Sequence, residues 1–327
     1  MLDARLLVTF LETARSGSFA RAGGVLSVTA SAVSQQMATL EHRLDAVLFE
    51  RSPRGVRLTP AGEALVAHAT AVVTRLADAR EELRAIGGGQ GGRVRLGSFP
   101  TATSAFAAMA VQRFGTLYPG VEIDYADVEP YESLARLRAH ELDLALVFQF
   151  DHWFIGMDYD GVVRCADGGF EYVDLFADPF HLVVRRDDPL AGRERIGLEQ
   201  LAGERILGGP PWGPDLRSLC NRLGFEPHFE GSFRTTDFSA FQALVAAGLG
   251  VTLVPRLAFR SLREDVVVRP LDPAPVRYVK IALREEGYRS AATDAMLHTL
   301  LAAATEFGAP ENVEPTGSLP AQEPMTP

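Results

Sequence analysis

The spacing of the apolar residues changes twice along this chain, and each change marks a boundary between predicted regions. Over residues 3–59 the apolar positions recur at helical steps in short runs, which predicts a group of short helices. Residues 60–86 continue that spacing without a break, which predicts one long helix. From Arg93 onward short apolar runs alternate with amphipathic segments. This pattern predicts strands alternating with helices and an α/β fold with parallel strands.

The first region has the pattern of a helix-turn-helix. Gly17 ends the first predicted helix, and Ser18 and Thr29 are good N-cap residues for the next two. The second helix is predicted to bury Phe19, Ala22, Val25 and Leu26, and the third to bury Val33, Met37 and Leu40. The outer face of the third helix is small and uncharged, and consists of Ala30, Ser31, Ser34 and Gln35. Such a face can lie against base edges, although a solvated face is the alternative.

An arginine-rich turn follows these helices. Residues 52–55, Ser-Pro-Arg-Gly, predict a turn between two short strands, with Arg51 and Arg54 on or beside it. Directly after a helix-turn-helix, such a hairpin is placed as a wing, where its arginines would contact phosphate or the minor groove. We therefore predict a winged helix-turn-helix head with a third helix that enters the major groove.

The long predicted helix carries an apolar stripe that must find a partner. A lone helix of this length is marginal, and we favour a second copy of the chain over packing against its own body. The stripe consists of Leu65, Ala69, Val72, Val73, Leu76, Ala79, Leu83 and Ile86. The sequence GGGQGG at 87–92 then predicts a flexible linker to the α/β region.

Two segments of the α/β region depart from its alternating pattern. Residues 151–171 are predicted to be irregular because they are too polar and glycine-rich for a regular element, and the next strand is predicted to begin at Phe180. A helix is predicted over 105–118, and a last helix over 291–307. Residues 308–327 are rich in Pro, Glu and Gly and are predicted to be a disordered tail.

Composition limits the class of protein. The net charge is −10, but residues 1–60 carry +2, so the acidic charge lies in the rest of the chain. Phosphate binding depends on local charge, and the imbalance places a DNA surface in the head. We find no membrane-spanning stretch and no secretory signal, and expect a cytoplasmic protein. Cys165 and Cys220 lie far apart in no CxxC pattern, so we expect reduced thiols, no metal and no cofactor.

From residue 2 to 307 the chain resembles the LysR-type transcriptional regulators. In the head the matching positions are Ser18-Phe19, Ala22, Leu26, Val28-Thr29, Ala32-Val33-Ser34, Gln36, Leu40-Glu41, Leu44, Leu48-Phe49, Arg51, Arg54-Gly55-Val56, Leu58-Thr59 and Gly62. In the body they are Leu96-Gly97, residues 118–121 and 141–145, Pro189-Leu190-Ala191, residues 248–251 and Pro255. The departures are Gly23-Gly24, Asp45 at a helix end where the family has Gly, and a longer 151–171 segment.

The resemblance implies a bacterial regulator with three functional parts. These are a winged helix-turn-helix head (1–59), a dimerising linker helix with its glycine linker (60–92), and a two-lobed, periplasmic-binding-protein-like effector domain. Lobe 1 is predicted to span 93–170 plus 272–307, and lobe 2 to span 171–271. The implied partners are a double-stranded DNA operator with an imperfect inverted repeat, a small effector, a second copy in a dimer or tetramer, and RNA polymerase as a candidate. By position Ala30, Ser31, Ser34 and Gln35 would approach bases, with Arg51 and Arg54 on phosphate or the minor groove.

The effector is expected in the crevice between the lobes, at the ends of strands. The segment after the first strand offers hydroxyls and backbone N–H groups at a helix start, which suit an anion, although one hydroxyl is needed there as a helix cap. The predicted contacts are Ser98, Phe99, Thr101, Thr103, Phe148 and Gln149 of lobe 1, and Gly209, Trp212 and Thr236 of lobe 2. Trp212 could stack on an aromatic effector, but we favour the alternative that it covers the edge of its lobe. The ligand is expected to close the lobes by binding one arrangement better than the other.

Other functional classes have weaker support in the sequence. We find no HExxH, GxSxG, GxGxxG or Walker A motif, and the histidines are scattered, so we do not predict an enzyme. A cytosolic small-molecule-binding protein without operator specificity remains an alternative. A redox sensor is a further alternative because Cys165 and Cys220 are available, although not in the arrangement of the peroxide-sensing relatives.

Overall fold

The computed structural model of this chain describes residues 3–52, 55–86, 92–150, 153–158, 161–164, 169–208, 213–233, 235–285 and 289–308. The head, residues 3–59, contains three helices and a hairpin: α1 (Ala4–Ser16), α2 (Phe19–Leu26), α3 (Ala30–Leu44), β1 (Phe49–Ser52) and β2 (Gly55–Leu58). A long helix follows, α4 (Pro60–Ile86). The winged helix-turn-helix predicted from the apolar spacing is therefore present.

Caps and a small apolar core fix the head. Thr29 Oγ1 accepts from the backbone N–H of Ala32 at 3.2 Å and begins α3, as predicted. Gly17 ends α1 in the left-handed conformation, at φ 63°. The core contains Phe10, Met37, Leu40, Leu48 and Phe49, which join α1, α3 and the first strand of the hairpin.

The two glycines of α2 have different surroundings. A Cβ at Gly23 would lie 2.6 Å from the carbonyl oxygen of Val28, whereas a Cβ at Gly24 would have nothing within 4 Å. The turn to α3 thus approaches Gly23 closely, and α2 ends at Leu26. The prediction that Val25 is buried is wrong, since 59% of it is exposed. Val25 comes two residues after the buried Gly23 and therefore lies on the opposite side of α2.

The long helix is joined firmly to the head and exposes apolar residues farther along. Thr59 Oγ1 donates to the carbonyl of Val47 at 2.6 Å and accepts from the N–H of Gly62 at 3.1 Å. Of the predicted stripe Ala69 is buried, but Val72, Leu76 and Leu83 are 45%, 54% and 71% exposed. The predicted linker residues 87–91 lie outside the described part of the chain.

The remaining residues form two α/β lobes. Lobe 1 contains β3 (Gly92–Ser98), α5 (Pro100–Ala102), a π-helical turn (Thr103–Ala107), α6 (Ala108–Leu117), β4 (Val121–Asp127), α7 (Pro130–Arg138), β5 (Leu144–Phe150), β6 (Trp153–Asp158), β7 (Gly161–Arg164) and the first part of β8 (Phe170–Arg185). Lobe 2 contains the end of β8, β9 (Ile196–Gly197), β10 (Arg205–Leu207), α8 (Gly213–Arg222), β11 (His228–Glu230), α9 (Phe238–Ala246), β12 (Thr252–Pro255), the 3-10 helix Arg256–Ser261 and β13 (Val266–Asp272). The chain returns to lobe 1 through β14 (Val276–Arg284) and α10 (Ala291–Gly308).

Parallel pairing of β3 with β4 and with β5 confirms the predicted βαβαβ unit. The main sheet has the order β4-β3-β5-β14-β8-β13-β9, and β8 passes through both lobes. Its residues 170–179 pair with β14, and its residues 180–185 pair with β12 and β13. Residue 171, the predicted start of lobe 2, pairs with Leu283 of β14.

Three predictions about elements in lobe 1 are wrong. The strand predicted to begin at Phe180 begins ten residues earlier, since β8 spans Phe170–Arg185. Residues 153–158 and 161–164 form an antiparallel hairpin, β6 with β7, inside the segment predicted to be irregular. Their aromatic and β-branched residues favour strands despite the glycines. The helix predicted from residue 105 begins at Pro100, because proline at the first helical position is compatible with a helix start. The predicted tail, apart from Gly308 at the end of α10, lies outside the described residues.

Candidate nucleic-acid interface and ligand crevice

One face of α3 is largely exposed, while its other face fills the core of the head. Val33, Met37 and Leu40 are buried, and each has at most 1% of its surface exposed. On the outer face Ala30, Ser31 and Gln35 are exposed and Ser34 is half-buried. The hydroxyls of Ser31 and the N-cap Thr29 share a hydrogen bond of 2.9 Å. The structure thus places all four predicted base-contacting residues on the first two turns of one helix face.

The hairpin that follows α3 is attached to the end of α1. Val56 donates its backbone N–H to the carbonyl of Gly17 at 3.0 Å, and a Cβ at Gly55 would lie 2.3 Å from that oxygen. The backbone of Arg51 pairs with Val56 in the β1–β2 ladder. The side chain of Arg51 and the whole of Arg54 lie outside the described part, so their contacts stay a prediction.

A buried ion pair lies under the predicted ligand segment of lobe 1. The guanidinium of Arg277 donates through Nε to Asp178 Oδ2 at 2.8 Å, and the two side chains are 3% and 1% exposed. Its Nη2 donates to Thr101 Oγ1, also at 2.8 Å. Asp178 Oδ1 accepts from the backbone N–H of Leu257 at 3.1 Å. These bonds connect β14, β8, α5 and the 3-10 helix of lobe 2.

Aromatic rings surround this guanidinium. The ring centroids of Phe148, Phe99 and Phe180 lie 4.6, 5.1 and 5.8 Å from the Arg277 Cζ. Phe99 also meets Phe148 edge-to-face, with centroids 4.9 Å apart. Two predicted ligand residues, Phe99 and Phe148, therefore pack around an arginine that the sequence analysis missed. Cation–π attraction adds to the ion pair in holding the guanidinium in place.

The other predicted hydroxyl contacts of lobe 1, those of Ser98 and Thr103, bond largely to one another and to the backbone. Thr103 Oγ1 lies 3.2 Å from Ser98 Oγ and 2.5 Å from the Tyr125 hydroxyl, and it donates to the carbonyl of Phe99 at 3.1 Å. Ser98 is fully buried, and its hydroxyl donates to the same carbonyl at 3.3 Å. Among the predicted hydroxyl contacts in lobe 1, Thr101 is the one that bonds to a charged group. Ser98 and Thr103 fix the shape of the segment around it.

Sequence models of two protein families cover most of the chain. Residues 4–63 match the bacterial regulatory helix-turn-helix protein, lysR family, and residues 87–305 match the LysR substrate binding domain. The chain belongs to the LysR family. It is a LysR-type transcriptional regulator with a DNA-binding head and a substrate-binding, or effector, domain, as the resemblance implied.

Individual relatives agree over nearly the full length. The hydrogen peroxide-inducible genes activator of Dickeya chrysanthemi is 27% identical, with coverage of 86% of this chain and 90% of the relative. The uncharacterized HTH-type transcriptional regulator YbhD of Escherichia coli (strain K12) is 25% identical, with 89% of each chain covered.

Solved structures of the family show the same fold. A full-length OxyR variant from Pseudomonas aeruginosa has a TM-score of 0.68 at 23% identity, over 93% of this chain and 95% of that one. Full-length CbnR complexed with its target DNA has a TM-score of 0.66 at 20% identity, over 92% of this chain and 100% of that one. These likenesses establish the shared architecture of head, linker helix and two lobes.

The other residues predicted for the effector crevice of this LysR-family chain are less closely grouped. Gln149 is half-buried on β5, where it pairs with Phe154 and Tyr278 on the neighbouring strands. Thr236 is exposed just before α9, whose N-cap is Asp237. Gly209 and Trp212 lie outside the described residues. The contribution of lobe 2 to the crevice therefore stays a prediction.

Sequence reasoning missed an acidic residue beside the crevice. Glu129 follows β4, at the edge of the sheet where β3 also ends, and its half-buried side chain caps no N–H of α7. Burial raises the pKa of the Glu129 carboxyl, the nearby charge of Arg277 offsets part of that rise, and Asp127 adds to it. Its place directly before Pro130, at a predicted strand-to-helix junction, was the available signal.

Metal and thiol chemistry have little support in the described residues. No group of His, Cys, Asp and Glu there could hold a metal ion. No described helix is long and apolar enough to cross a membrane. Cys220 is fully buried, and burial raises the pKa of its thiol to about 11, which disfavours the reactive thiolate. Cys165 lies outside the described residues.

Proposed function

We propose that this LysR-type regulator binds an imperfect inverted repeat through α3, with Ala30, Ser31, Ser34 and Gln35 toward the bases. The observation that carries the proposal is the uncharged outer face of a helix whose inner face is buried in the head. Gln can make a bidentate bond to adenine and Ala can contact a thymine methyl, so this face can read sequence. Arg51 and Arg54 would bind phosphate or the minor groove from the wing.

The proposed oligomer uses the exposed stripe of α4. Val72, Leu76 and Leu83 recur at heptad-like steps and stay open to solvent in the single chain. A second copy would cover them and set the spacing of two heads on the repeat. Leu76→Glu should convert the oligomer to smaller species in sedimentation, whereas Ala67→Glu, on the exposed opposite face, should leave it intact. Equal behaviour of the two variants would refute this role for the stripe.

The domain assignment follows the sheet pairing. We propose a head over 3–59, a linker helix over 60–86, lobe 1 over 92–179 plus 275–308, and lobe 2 over 180–274. A small effector would bind between the lobes and shift the population of two lobe arrangements, and so alter how the heads meet DNA. The protein would act on cytoplasmic DNA without an enzymatic step.

The test of the DNA-binding proposal is a gel-shift assay with the DNA that flanks the gene, run over a series of salt concentrations. Gln35→Ala should lower the ratio of specific to non-specific affinity by about 5- to 150-fold, because a bidentate base contact contributes roughly 1–3 kcal/mol. Its salt dependence should not change, since no phosphate contact is lost. Gln112→Ala, an exposed glutamine in lobe 1, is the matched control. Binding that any competitor DNA abolishes equally would contradict a sequence-specific regulator.

A further inference from the structure

We infer that Arg277 is the positioning residue of the effector crevice, which orients Thr101 toward the ligand and connects it to lobe 2 through Asp178. The inference rests on the proposed effector role of the crevice. It concerns a chain of hydrogen bonds, from Thr101 Oγ1 to Arg277 Nη2 at 2.8 Å, from Arg277 Nε to Asp178 Oδ2 at 2.8 Å, and from Leu257 N to Asp178 Oδ1 at 3.1 Å.

The guanidinium has one orientation available. Arg277 and Asp178 face each other on neighbouring strands, β14 and β8, where they are register partners. Both are almost completely buried, and rings of Phe99, Phe148 and Phe180 surround the charge. A guanidinium presents its donors in a rigid planar fork, so fixing Nε on Asp178 also fixes the direction of Nη2. The position of the Thr101 hydroxyl is thereby set from β14.

This arrangement specifies the chemistry that Thr101 offers. Its oxygen accepts a charge-assisted hydrogen bond from Arg277, which leaves the hydroxyl proton for a partner in the crevice. A hydroxyl that accepts from a cation is polarised and donates more strongly. The ligand atom that meets Thr101 is therefore an acceptor, such as a carbonyl, ether or carboxylate oxygen. Since Asp178 already balances Arg277, that atom need not carry a negative charge.

The same chain of bonds reaches the other lobe. Leu257 lies in the 3-10 helix Arg256–Ser261, between β12 and β13 of lobe 2, and Asp178 lies next to the point where β8 leaves lobe 1. A ligand that pulls on Thr101 changes the geometry at Arg277 and so the bond from Asp178 to Leu257. Low-dielectric surroundings make each of these bonds costly to lose. The lobes are thus coupled beneath the ligand as well as through it.

The first test uses hydrogen–deuterium exchange of the full-length protein, which needs neither DNA nor effector. Thr101→Val removes the lobe 1 end of the chain of bonds and does not touch Leu257. We expect peptides containing Leu257 to exchange about 3- to 10-fold faster, within the range measured for coupled networks. Thr116→Val, an exposed threonine of α6 that bonds to its own helix, is the matched control and should leave those peptides unchanged. Equal exchange in the two variants would overturn the inference.

The second test compares two buried aspartates. Asp143 matches Asp178 because it pairs with an arginine and accepts a backbone N–H, both from Arg95 within lobe 1. Asp178→Asn and Asp143→Asn should lose similar stability. Only Asp178→Asn should change DNA binding, seen either as a shift of about fivefold in the operator dissociation constant or as a changed footprint length. Matching DNA effects in the two variants would refute the coupling. If Asp178→Asn fails to fold, Arg277→Lys takes its place. This variant retains the ion pair with Asp178 and should lose only the hydrogen bond to Thr101. Peptides containing Leu257 should then exchange faster by the same factor as in Thr101→Val.

The two proposals fail separately. If the wild-type protein shows no specific operator binding, the proposed function is wrong, while the exchange experiment still decides whether Thr101 and Leu257 are coupled. If the wild type binds its operator and Thr101→Val behaves like Thr116→Val, only the role of Arg277 is wrong.

Discussion

The carboxylate of Glu41, near the end of α3, accepts a hydrogen bond from the backbone N–H of Leu48 at 2.8 Å. The same oxygen accepts from Phe49 N–H at 3.2 Å, so one side chain fixes the entry to the hairpin. The end of α3 and the start of the hairpin are therefore held together by a residue that lies outside the predicted DNA and ligand contacts.

Replacing Glu41 should loosen the wing without changing α3. Glu41→Ala leaves two partly buried N–H groups without their acceptor, and we expect a loss of about 1–3 kcal/mol in unfolding free energy of the head. Chemical denaturation followed by circular dichroism measures this loss. Glu63→Gln, on the exposed side of α4, is the control and should change stability by less than about 0.5 kcal/mol. A loss no larger than that of the control would mean that water replaces Glu41 as acceptor.

The adjacent glycines of α2 should respond in opposite directions to alanine. Gly23→Ala places a Cβ 2.6 Å from the Val28 carbonyl, so the turn must shift, at a cost of about 1–3 kcal/mol. Gly24→Ala meets nothing within 4 Å and should stabilise the helix by about 0.5–1 kcal/mol. Thermal unfolding of the two variants beside the wild type tests both signs. Two changes of the same sign would contradict the close approach at Gly23.

Stability should fall with rising pH because of Glu129. Burial raises the pKa of this carboxyl in the folded state, so folding favours its protonated form. That contribution is present below the ordinary glutamate pKa and is lost as pH rises through the raised value. Glu129→Gln should therefore be more stable than the wild type at about pH 7, and the difference should shrink toward about pH 4.

Unfolding midpoints measured across that pH range give the comparison for Glu129. Glu122→Gln on β4, the strand that Glu129 follows, is the control, because the Glu122 side chain is 69% exposed and should show no such trend. A Glu129→Gln midpoint that stays parallel to the wild-type midpoint across the range would show that the carboxyl is solvated.

Cys220 should be inert in the folded protein. Its thiol is fully buried and has its pKa raised to about 11, so the thiolate needed for alkylation or oxidation is scarce. In a Cys165→Ser background, iodoacetamide should label Cys220 only after unfolding in urea, and peroxide should leave operator binding unchanged. Rapid labelling of the native protein would restore redox sensing at Cys220 as a candidate function.

The head could be predicted almost entirely from sequence because its signals are local. Thr29, Gly17 and the buried set of α3 act within a few residues of one another, where capping and helical spacing decide the structure. Val25 was the exception, because the side of α2 that packs is the one with Gly23, and Val25 lies two residues later on the opposite side.

The crevice could be predicted only in part because its central contact is not local. Thr101 was found from its place after a strand, but Arg277 and Asp178 come from two distant strands, and their partnership depends on sheet register. Nothing in the composition around either residue indicates a buried charge. The β6–β7 hairpin was missed for a different reason, because its glycines outweighed its strand-forming residues in the sequence pattern.

The place of β14 in the sheet has a consequence for biosynthesis. β14 lies between β5 and β8, yet it is made after all of lobe 2. On the ribosome the head and lobe 2 can therefore fold first, while the edge of β5 that pairs with β14 stays unpaired until residue 284 has emerged. A chain released before residue 276 would leave the edges of β5 and β8 exposed. We expect such a chain to aggregate and not to act as a shortened regulator.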